Sequence, residues 1–369
     1  MTDHDTLTQP QEGDFVSLYC TLGRGMDPFV KAELLQVEQI KILKAIEGKI
    51  FFETPTSSAN IRPTTAERVL VLIYHNKQQI EPNTPAPLAF TQLQKMLTNG
   101  VPWERSVRYW RLLKDEESEE KVLARLNVKV SGGKRKIFKP ERLAGSLSKC
   151  LRLSVQSLEF VARGAQVSID VHVSDAFVTV GMALTSGTLQ FGLRSTTASA
   201  MAMCLTLSHD NLRFFERPLS TGEVILDPMC GKGSIPNAKC LLRTVKIGVD
   251  NDPAQLAVAK VSNNTLLLLA DATKLPLRRD LVDHILCDLP FGLKYSKDGF
   301  RTLIPDVMSE IVRVLKPGRR AILLFARSER QFLKECAENC GLKLMRTFEI
   351  MLGVLEAEIF VFLKNNELT

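Results

Sequence analysis

The sequence predicts an α/β protein in which a mostly parallel seven-stranded sheet follows two smaller α+β units. From Gly222 onward, five apolar runs each end in a polar turn that carries Gly or Pro, and the segments between them suit crossover helices. The last apolar stretch, EIMLGVLEAEIFVFLK, predicts two further strands in a hairpin. Because ligands bind outside the carboxyl ends of parallel strands, the ends of these runs are the first place to search for chemistry.

The composition indicates a folded protein with several cores and a polyanionic partner. A chain of 369 residues suggests two or three domains. Hydrophobic residues make up 45% and charged residues 24%, which is incompatible with wholesale disorder. The net charge of +7 is a mild basic bias that favours a partner such as nucleic acid.

Cysteine usage and the first residues predict an intracellular, reduced and soluble protein. Eight cysteines are scattered without a CxxC pair, and five histidines show no metal spacing, so we expect neither disulfides nor a metal site. The opening MTDHDTLTQP is polar and acidic, unlike a signal peptide or a mitochondrial presequence. No apolar run approaches the ~20 residues that span a bilayer.

The first half of the chain alternates short strands and helices in two groups. FVSLYCTL, KIFFE and ERVLVLIYH predict strands, and ARLNVKVSG and QVSIDVHVSDAFVTVGMAL predict strands with a turn near Ser174 and Asp175. KPERLAGSLSKCLRL predicts an amphipathic helix that begins at Pro140. We divide the chain into a flexible tail (1–13), an N-terminal α+β domain (14–113), an acidic linker (114–120), a second α+β domain (121–185), a hinge (186–206) and an α/β domain (207–369).

The turn LDPMCGKGS, residues 226–234, suits a small anionic group of a cofactor. Gly231 and Gly233 lie between a strand and a predicted helix, where glycines allow close approach of a ligand. A P-loop is excluded because Gly233 follows Lys232, and a dinucleotide fingerprint lacks its third Gly, where Pro236 stands. S-adenosylmethionine (SAM) sites tolerate two glycines, since one carboxylate replaces the pyrophosphate.

Two later acids favour SAM. Asp250 ends the second strand, where an acid can accept ribose hydroxyls, and Asp271 ends the third, where it can meet an adenine amino group. No His flanks Cys230 to activate it, so we interpret Cys230 as a packing residue within the turn. The predicted cofactor-binding residues are Asp227, Pro228, Cys230, Gly231, Gly233, Asp250, Asn251, Asp271 and Ala272.

The fourth strand ends in HILCDLPFG, residues 284–292, beside the expected methyl donor. Methyl transfer to an exocyclic amine is difficult because the nitrogen lone pair is delocalised into the base. Asp288 and the Leu289 carbonyl can accept the amine N–H groups and disperse the developing positive charge. Pro290 fixes the turn, and Phe291 offers a flat face for an extruded base. These four residues form the predicted catalytic set.

Basic residues are concentrated in residues 121–152, which hold ten Lys and Arg against Glu141 alone. Such a density suits salt-dependent phosphate contacts, although a solvated helix face is the alternative. The predicted RNA-binding residues of this segment are Lys129, Lys134, Arg135, Lys136, Lys139, Arg142 and Lys149. Trp103, Tyr109 and Trp110 in VPWERSVRYWRLLK can stack bases, but their helical spacing favours the core.

These motifs together resemble a known family. DPMCGKGS, IGVDNDP, ADATKLPL and CDLPFG look like the Rossmann-fold methyltransferases that modify exocyclic amines. GLRST (192–196) resembles the hinge of THUMP-containing RNA methyltransferases, and NVKVSGGKRKIFKPERLAG resembles their THUMP module. TLGRGMDPFVKAEL (21–34) is similar to the start of their N-terminal ferredoxin-like domain. The resemblance covers nearly the whole chain.

The resemblance implies a SAM-dependent enzyme that forms N2-methylguanosine in a structured RNA, with U6 snRNA favoured and tRNA next. It implies a small zinc-binding activator subunit, a Rossmann-like fold preceded by ferredoxin-like and THUMP domains, and a nuclear location with the cytoplasm as the alternative. Arg194, in the hinge motif, joins the expected RNA contacts. Relatives usually carry an acid where Ala238 stands, which affects the contacts expected at the methionine end of SAM.

Two other functions remain open. A non-catalytic RNA-binding scaffold would retain the fold, although the intact strand-end acids argue against decay. An adenine-N6 methyltransferase uses the same amine chemistry, and Leu289, in place of the second proline common in that motif, disfavours it.

Overall fold

The computed structural model describes residues 6–10, 14–58, 61–77, 80–81, 83–118, 120–185, 193–208, 213–290 and 297–366. These residues form two compact units. The N-terminal unit contains the described residues of 1–21, 34–62 and 67–187. The C-terminal unit contains those of 22–33, 63–66 and 188–369.

The N-terminal unit is built on one eight-stranded sheet in the order β2-β3-β1-β4-β8-β7-β5-β6. Its strands are β1 (Phe15–Thr21), β2 (Lys41–Ile46), β3 (Lys49–Pro55), β4 (Arg68–Lys77), β5 (Val122–Val130), β6 (Leu158–Phe160), β7 (Val167–Val173) and β8 (Phe177–Ala183). Its helices are α2 (Ala86–Thr98), α3 (Trp103–Lys114) and α4 (Pro140–Ser154), with 3₁₀ turns at Thr56–Ser58 and Gly132–Lys136. The antiparallel pair β4–β8 makes the sheet continuous across the two predicted α+β domains, whose boundary remains a prediction.

Side-chain periodicity explains these elements. β7 alternates buried and partly exposed residues, as a strand with one covered face must. α4 begins at Pro140, where a missing N–H costs nothing, and buries Leu143, Leu147 and Leu151 on one stripe. The predicted strands β5, β7 and β8 and the predicted helix α4 are therefore confirmed, whereas β2 and β6 were not predicted.

The aromatic residues of α3 belong to the core. Trp103 and Trp110 are buried, and each indole N–H has a backbone partner. Trp103 donates to the Leu97 carbonyl at 2.7 Å, and Trp110 donates to the Ala183 carbonyl at 2.9 Å. Satisfied and buried indoles are not available for stacking on bases, so the core interpretation is confirmed.

The C-terminal unit contains a seven-stranded sheet in the order β11-β10-β9-β12-β13-β15-β14. Its strands are β9 (Val224–Asp227), β10 (Val245–Asp250), β11 (Thr265–Leu269), β12 (Val282–Asp288), β13 (Leu315–Ala326), β14 (Leu342–Leu352) and β15 (Leu355–Lys364). Its helices are α1 (Asp27–Leu34), α5 (Ser195–Met203), α6 (Pro253–Ala257), α7 (Lys297–Val314) and α8 (Arg330–Asn339), with 3₁₀ turns at Cys204–Thr206, Lys239–Leu241 and Arg327–Glu329. β9 to β13 pair in parallel and β13–β15–β14 pair antiparallel, which confirms the mostly parallel sheet and its closing hairpin.

The core of this unit lies between β12 and α7. Ile285 and Cys287 project from the same face of β12 and are fully buried. They belong to one apolar cluster with Val307 and Ile311, which recur four residues apart on α7. This packing fixes the end of β12, where the predicted catalytic turn begins.

The connection from β9 to β10 differs from the prediction. We expected a helix after the glycine turn, but the described chain there forms turns and only the 3₁₀ segment Lys239–Leu241. Gly231 and Gly233 adopt φ of +50° and +81°, and Pro236 follows, which removes a backbone N–H and disfavours helix before it. As a result, little helical structure covers the β10–β11 end of the sheet.

A segment from the start of the chain packs on the C-terminal sheet. Phe29 of α1 has its ring centroid 5.2 Å from that of Phe214 and 4.8 Å from that of Phe348 in β14. Gly25 has φ of +85°, and a Cβ there would lie 2.0 Å from the Glu349 carbonyl oxygen. Only glycine fits this approach, so residues 22–33 form part of the C-terminal unit although the sequence suggested the N-terminal domain.

Candidate active site

A cavity of about 940 Å³ opens at the carboxyl ends of β9, β10, β11 and β12. Each of these strands delivers the first residues of the following turn to its wall, as expected for neighbouring parallel strands. Those lining residues are Pro228, Met229, Gly231, Asp250, Asn251, Asp252, Asp271, Ala272, Asp288, Leu289 and Pro290. The remaining lining residues are Leu193, Arg194, Gln255, Leu303, Leu352, Gly353 and Leu355.

A second cavity, of about 390 Å³, shares part of this wall. Asp227, Cys230 and Gly231 line it together with Asp288. Eight of the nine predicted cofactor-binding residues therefore line one cavity or the other: Asp227, Pro228, Cys230, Gly231, Asp250, Asn251, Asp271 and Ala272.

The ninth predicted cofactor-binding residue is Gly233. Gly233 does not line either cavity, and a Cβ at Gly233 would lie 2.6 Å from Val261 Cγ1. Its role in the structure is thus a tight turn against Val261. Phe291 lies outside the described residues.

The glycine turn is tied to the end of β10 through Asp250. The Gly231 N–H donates to Asp250 Oδ2 at 2.8 Å, and the Asp252 N–H donates to Asp250 Oδ1 at 2.9 Å. Each carboxylate oxygen keeps a further lone pair for a hydroxyl donor. No atom comes within 4 Å of the position that a Cβ of Gly231 would take, so the backbone there is open to a ligand.

Asp271 is an exposed acceptor at the end of β11. Its Oδ1 accepts the Thr273 N–H and the Thr273 hydroxyl, both at 2.8 Å. These hydrogen bonds favour the charged carboxylate and lower the pKa of Asp271 below its usual value. Asp271 therefore stays ionised at neutral pH.

Asp227, at the end of β9, is buried beside the second cavity. Its Oδ1 accepts the Met229 N–H at 3.2 Å, whereas Oδ2 has no partner among the described residues. Burial raises the pKa of Asp227 well above its usual value, and the nearby Asp288 and Asp250 charges raise it further. A buried acceptor without a donor costs roughly 1–3 kcal/mol, and a cationic ligand group would remove that cost.

Asp288 borders both cavities at the end of β12. Desolvation raises the pKa of this partly buried carboxyl from 3.8 to about 7. The following residue anchors the turn, because the Leu289 side chain is buried and its N–H donates to the Leu324 carbonyl at 3.1 Å. An acid with a pKa near 7 is suited to proton transfer and to accepting N–H groups at neutral pH.

The cysteines near the site are unsuited to nucleophilic catalysis. Burial raises the pKa of Cys230 to about 12 and that of Cys287 well above its usual value, so both thiols stay protonated. Cys230 Sγ lies 2.9 Å from the position of a Cβ on Gly248, which shows tight packing. The burial of Cys230 agrees with its interpretation as a packing residue within the turn.

The predicted RNA-binding residues fall into three groups. Most are exposed on β5, the 3₁₀ turn Gly132–Lys136 and α4: Lys129, Arg135, Lys136, Lys139, Arg142 and Lys149. Lys134 is buried, and its ammonium donates to the Ile80 carbonyl, which is a correction to its predicted contact with RNA phosphate. Arg194 stands apart, in the wall of the larger cavity of the C-terminal unit.

Residues 238–358 match the model of the UPF0020 family, described as RMKL-like, methyltransferase domain. The matched residues include Asp250, Asp271 and Asp288, three of the four strand-end acids of the two cavities. The fourth acid, Asp227, precedes the matched region.

Curated relatives align with more of the chain than residues 238–358. U6 snRNA (guanine-N(2))-methyltransferase THUMPD2 of Mus musculus is 25% identical over 86% of this chain and 76% of its own length. tRNA (guanine(6)-N(2))-methyltransferase THUMP3 of Bos taurus is 30% identical over 53% of this chain and 42% of its own length.

Solved structures share the fold of the whole chain. TrmN from Thermus thermophilus superposes with a TM-score of 0.64 at 19% identity, covering 95% of this chain and 99% of TrmN. SMU.472 in complex with SAH superposes with a TM-score of 0.72 at 11% identity, covering 97% and 100%. In the part of the chain that the structure describes, no cluster of His, Cys, Asp or Glu could hold a metal ion. Among the same residues, no helix has the length and apolarity to cross a membrane.

Proposed function

We propose that this protein is a SAM-dependent RNA methyltransferase that forms N2-methylguanosine, with U6 snRNA as the favoured substrate and tRNA next. The observation that carries the proposal is the position of Asp288, which lines both cavities. The pKa of this carboxyl group is raised to about 7. The other three strand-end acids surround the same space. A methyl donor and an amine acceptor would thus meet at Asp288.

The cavity residues fit SAM, which supplies a methyl group on a positively charged sulfur when it is bound. Asp250 would accept the ribose hydroxyls through the free lone pairs of its carboxylate, and the ionised Asp271 would accept the adenine amino group. The open backbone at Gly231 admits close approach. Asp227 Oδ2, a buried acceptor without a donor among the described residues, would accept the α-ammonium group of the methionine portion of SAM.

Asp288 would bind the exocyclic amine of guanine through a hydrogen bond and would not contact the purine ring. The carboxylate accepts one amine N–H, and the Leu289 carbonyl is proposed to accept the second. Both acceptors draw the nitrogen toward tetrahedral geometry and stabilise the positive charge that develops on it. A carboxyl group with a pKa near the working pH can also take the proton that the amine releases. Phe291 remains a proposed stacking face for the extruded base.

RNA would be held mainly by the exposed basic residues of β5, the 3₁₀ turn Gly132–Lys136 and α4. Lysine and arginine contacts to phosphate give affinity without sequence specificity, so the choice of guanine must come from the shape of the RNA. The relative named for U6 snRNA aligns with far more of this chain than the one named for tRNA, which supports U6 as the first candidate. A U6 substrate would place the enzyme in the nucleus.

The small zinc-binding activator subunit would bind at the β11 edge of the methyltransferase sheet. β11 is an edge strand, with backbone groups available to a further strand. Leu266 and Leu269 on this strand are 55% and 62% exposed, which is unusual for leucine in a sheet. We expect Leu269→Glu to abolish co-purification with the activator. Leu153→Glu is the matched control, because Leu153 is also exposed but lies in α4.

The test of the proposed function is methylation of transcribed U6 snRNA and tRNA by the purified protein with its activator and isotopically labelled SAM. Nucleoside mass spectrometry should find the label in N2-methylguanosine, and in none with Asp288→Ala. Label in N6-methyladenosine would instead establish the adenine activity. No SAM binding by calorimetry, with the activator present, would establish the scaffold.

A further inference from the structure

An acidic side chain lies at the centre of the most basic loop of the N-terminal unit. The 3₁₀ turn Gly132–Lys136 joins β5 to α4 and carries three consecutive cationic residues. The Gly133 N–H donates to Asp175 Oδ2 at 2.8 Å, and the Lys134 N–H donates to Asp175 Oδ1 at 3.1 Å. Asp175 itself sits in the exposed turn between β7 and β8.

The loop is shaped to receive this carboxylate. Gly132 has φ of +66°, and a Cβ there would lie 1.9 Å from Asp175 Oδ2, so only glycine permits the contact. The Ser131 hydroxyl and His172 Nε2 lie 2.9 Å apart at the start of the loop. Arg135 Nε donates to the Val130 carbonyl at 3.0 Å.

These contacts hold the backbone of the loop while leaving two of its three cations exposed. Arg135 and Lys136 are exposed, and Lys139 follows at the start of α4. Hydrogen bonds from two backbone N–H groups to one ionised carboxylate are charge-assisted and stronger than neutral ones. Without the carboxylate the loop would have to be ordered by RNA at the moment of binding, at a cost in conformational entropy.

We propose that Asp175 is a positioning residue for RNA: its carboxylate orders the basic loop so that Arg135 and Lys136 face phosphates. The inference rests on the proposed function, because it requires that this loop binds RNA. It also makes an unusual prediction, since Asp175 is a negative charge within a basic surface. Electrostatic attraction alone would make its removal strengthen RNA binding.

Two substitutions that each remove one negative charge distinguish an effect on the order of the loop from an effect on the electrostatic attraction of RNA. Asp175→Asn keeps the shape of the side chain but replaces one acceptor oxygen with an NH₂ donor, which cannot accept the second N–H. Glu141→Gln removes one negative charge from the exposed first turn of α4. RNA affinity is measured by fluorescence anisotropy over a series of salt concentrations, for example with labelled U6 snRNA.

We expect Asp175→Asn to weaken RNA binding about fivefold or more and to lower the slope of log K against log salt by about one, as for one lost phosphate contact. Glu141→Gln should leave binding unchanged or strengthen it. Gly132→Ala disrupts the same contact by placing a Cβ against the Asp175 carboxylate, so it should weaken RNA binding in the same way. A fall in the active fraction through misfolding would not change the salt slope, and SAM affinity should stay at the level of the unmodified protein.

The result that overturns the proposal is an Asp175→Asn variant that binds RNA as well as, or better than, the unmodified protein with an unchanged salt slope. A double variant, Arg135→Gln with Lys136→Gln, tests the binding of RNA by the loop separately from the role of Asp175. If the double variant loses affinity while Asp175→Asn does not, only the role of Asp175 is wrong. If the double variant keeps full affinity, the loop does not bind RNA, and both the role of Asp175 and the proposed use of the loop are wrong.

Discussion

The desolvated carboxyl of Asp288 predicts that methyl transfer depends on pH across neutrality. Its pKa is raised to about 7, and only the carboxylate can take up the amine proton and stabilise the developing positive charge with a full negative charge. About one tenth of the carboxyl groups are ionised at one pH unit below the pKa and about nine tenths at one unit above it. The value of kcat/KM, which depends on the pKa values of the free enzyme, should therefore be about tenfold higher at pH 8 than at pH 6.

The same raised pKa predicts that the free energy of unfolding falls as pH rises, whereas the rate of methyl transfer increases. A carboxyl whose pKa is higher in the folded than in the unfolded protein binds a proton that unfolding releases, so stability falls as pH rises between about 4 and 7. The pKa rise from 3.8 to about 7 corresponds to a cost on the order of 4 kcal/mol once Asp288 is ionised. Asp288→Asn, which stays neutral, should thus be up to about 4 kcal/mol more stable than the unmodified protein at pH 8 while losing activity about 10²–10³-fold.

Rates and denaturation midpoints would be measured from pH 5.5 to 8.5 at constant ionic strength. Asp271→Asn is the matched control: the pKa of Asp271 is lowered, so its loss should weaken SAM binding yet leave the pH profile in place. Asp288→Ala should abolish methyl transfer with RNA affinity nearly intact. A flat rate between pH 6 and 8, or a pH-dependent rate in Asp288→Asn, would refute the assignment.

Three further substitutions test the packing and the site. Gly25→Ala, which places a Cβ against the Glu349 carbonyl, should lower the melting temperature by several degrees, whereas Gly145→Ala in open space within α4 should raise it slightly in the same thermal melt. Arg320→Met leaves three backbone carbonyls without their buried guanidinium donor and should cost about 2–5 kcal/mol in chemical denaturation. Cys230→Ala should retain methyl transfer within a few-fold in the labelled-SAM assay, and complete loss would restore the thiol to consideration as a nucleophile.

The parallel sheet and the cavity walls follow closely from the sequence. Four of the apolar runs have an Asp at the strand end or within two residues of it, and a turn follows each of these acids. Because parallel strands end at the same edge, four such endings place Asp227, Asp250, Asp271 and Asp288 around shared space. Local patterns are sufficient for features of this kind.

Contacts between distant parts of the chain could not be predicted in this way. Gly25 is a glycine because Glu349 approaches it, and nothing near Gly25 in the sequence reveals that neighbour. The missing helix after the glycine turn reflects two glycines with positive φ and Pro236 acting together, where pattern alone favoured a crossover helix.

The sequence likewise did not reveal which polar side chains are buried or bound to the backbone. Lys134 belongs to a run of cations whose neighbours are exposed, and its burial follows from the Ile80 carbonyl that receives it. Asp175 was visible only as a turn residue, and its carboxylate acquires a role through backbone N–H groups that carry no sequence signature. Such groups are identified by geometry alone.

The proposed methylation of RNA at Asp288 can be tested in cells by nucleoside mass spectrometry of individual RNAs, purified from cells that contain or lack this protein, with Asp288→Ala as the replacement allele. We expect N2-methylguanosine at one position, in U6 snRNA first and otherwise in tRNA, to disappear without the protein. It should return with the unmodified chain and not with Asp288→Ala. Unchanged N2-methylguanosine in every RNA, or full restoration by Asp288→Ala, would contradict the proposal.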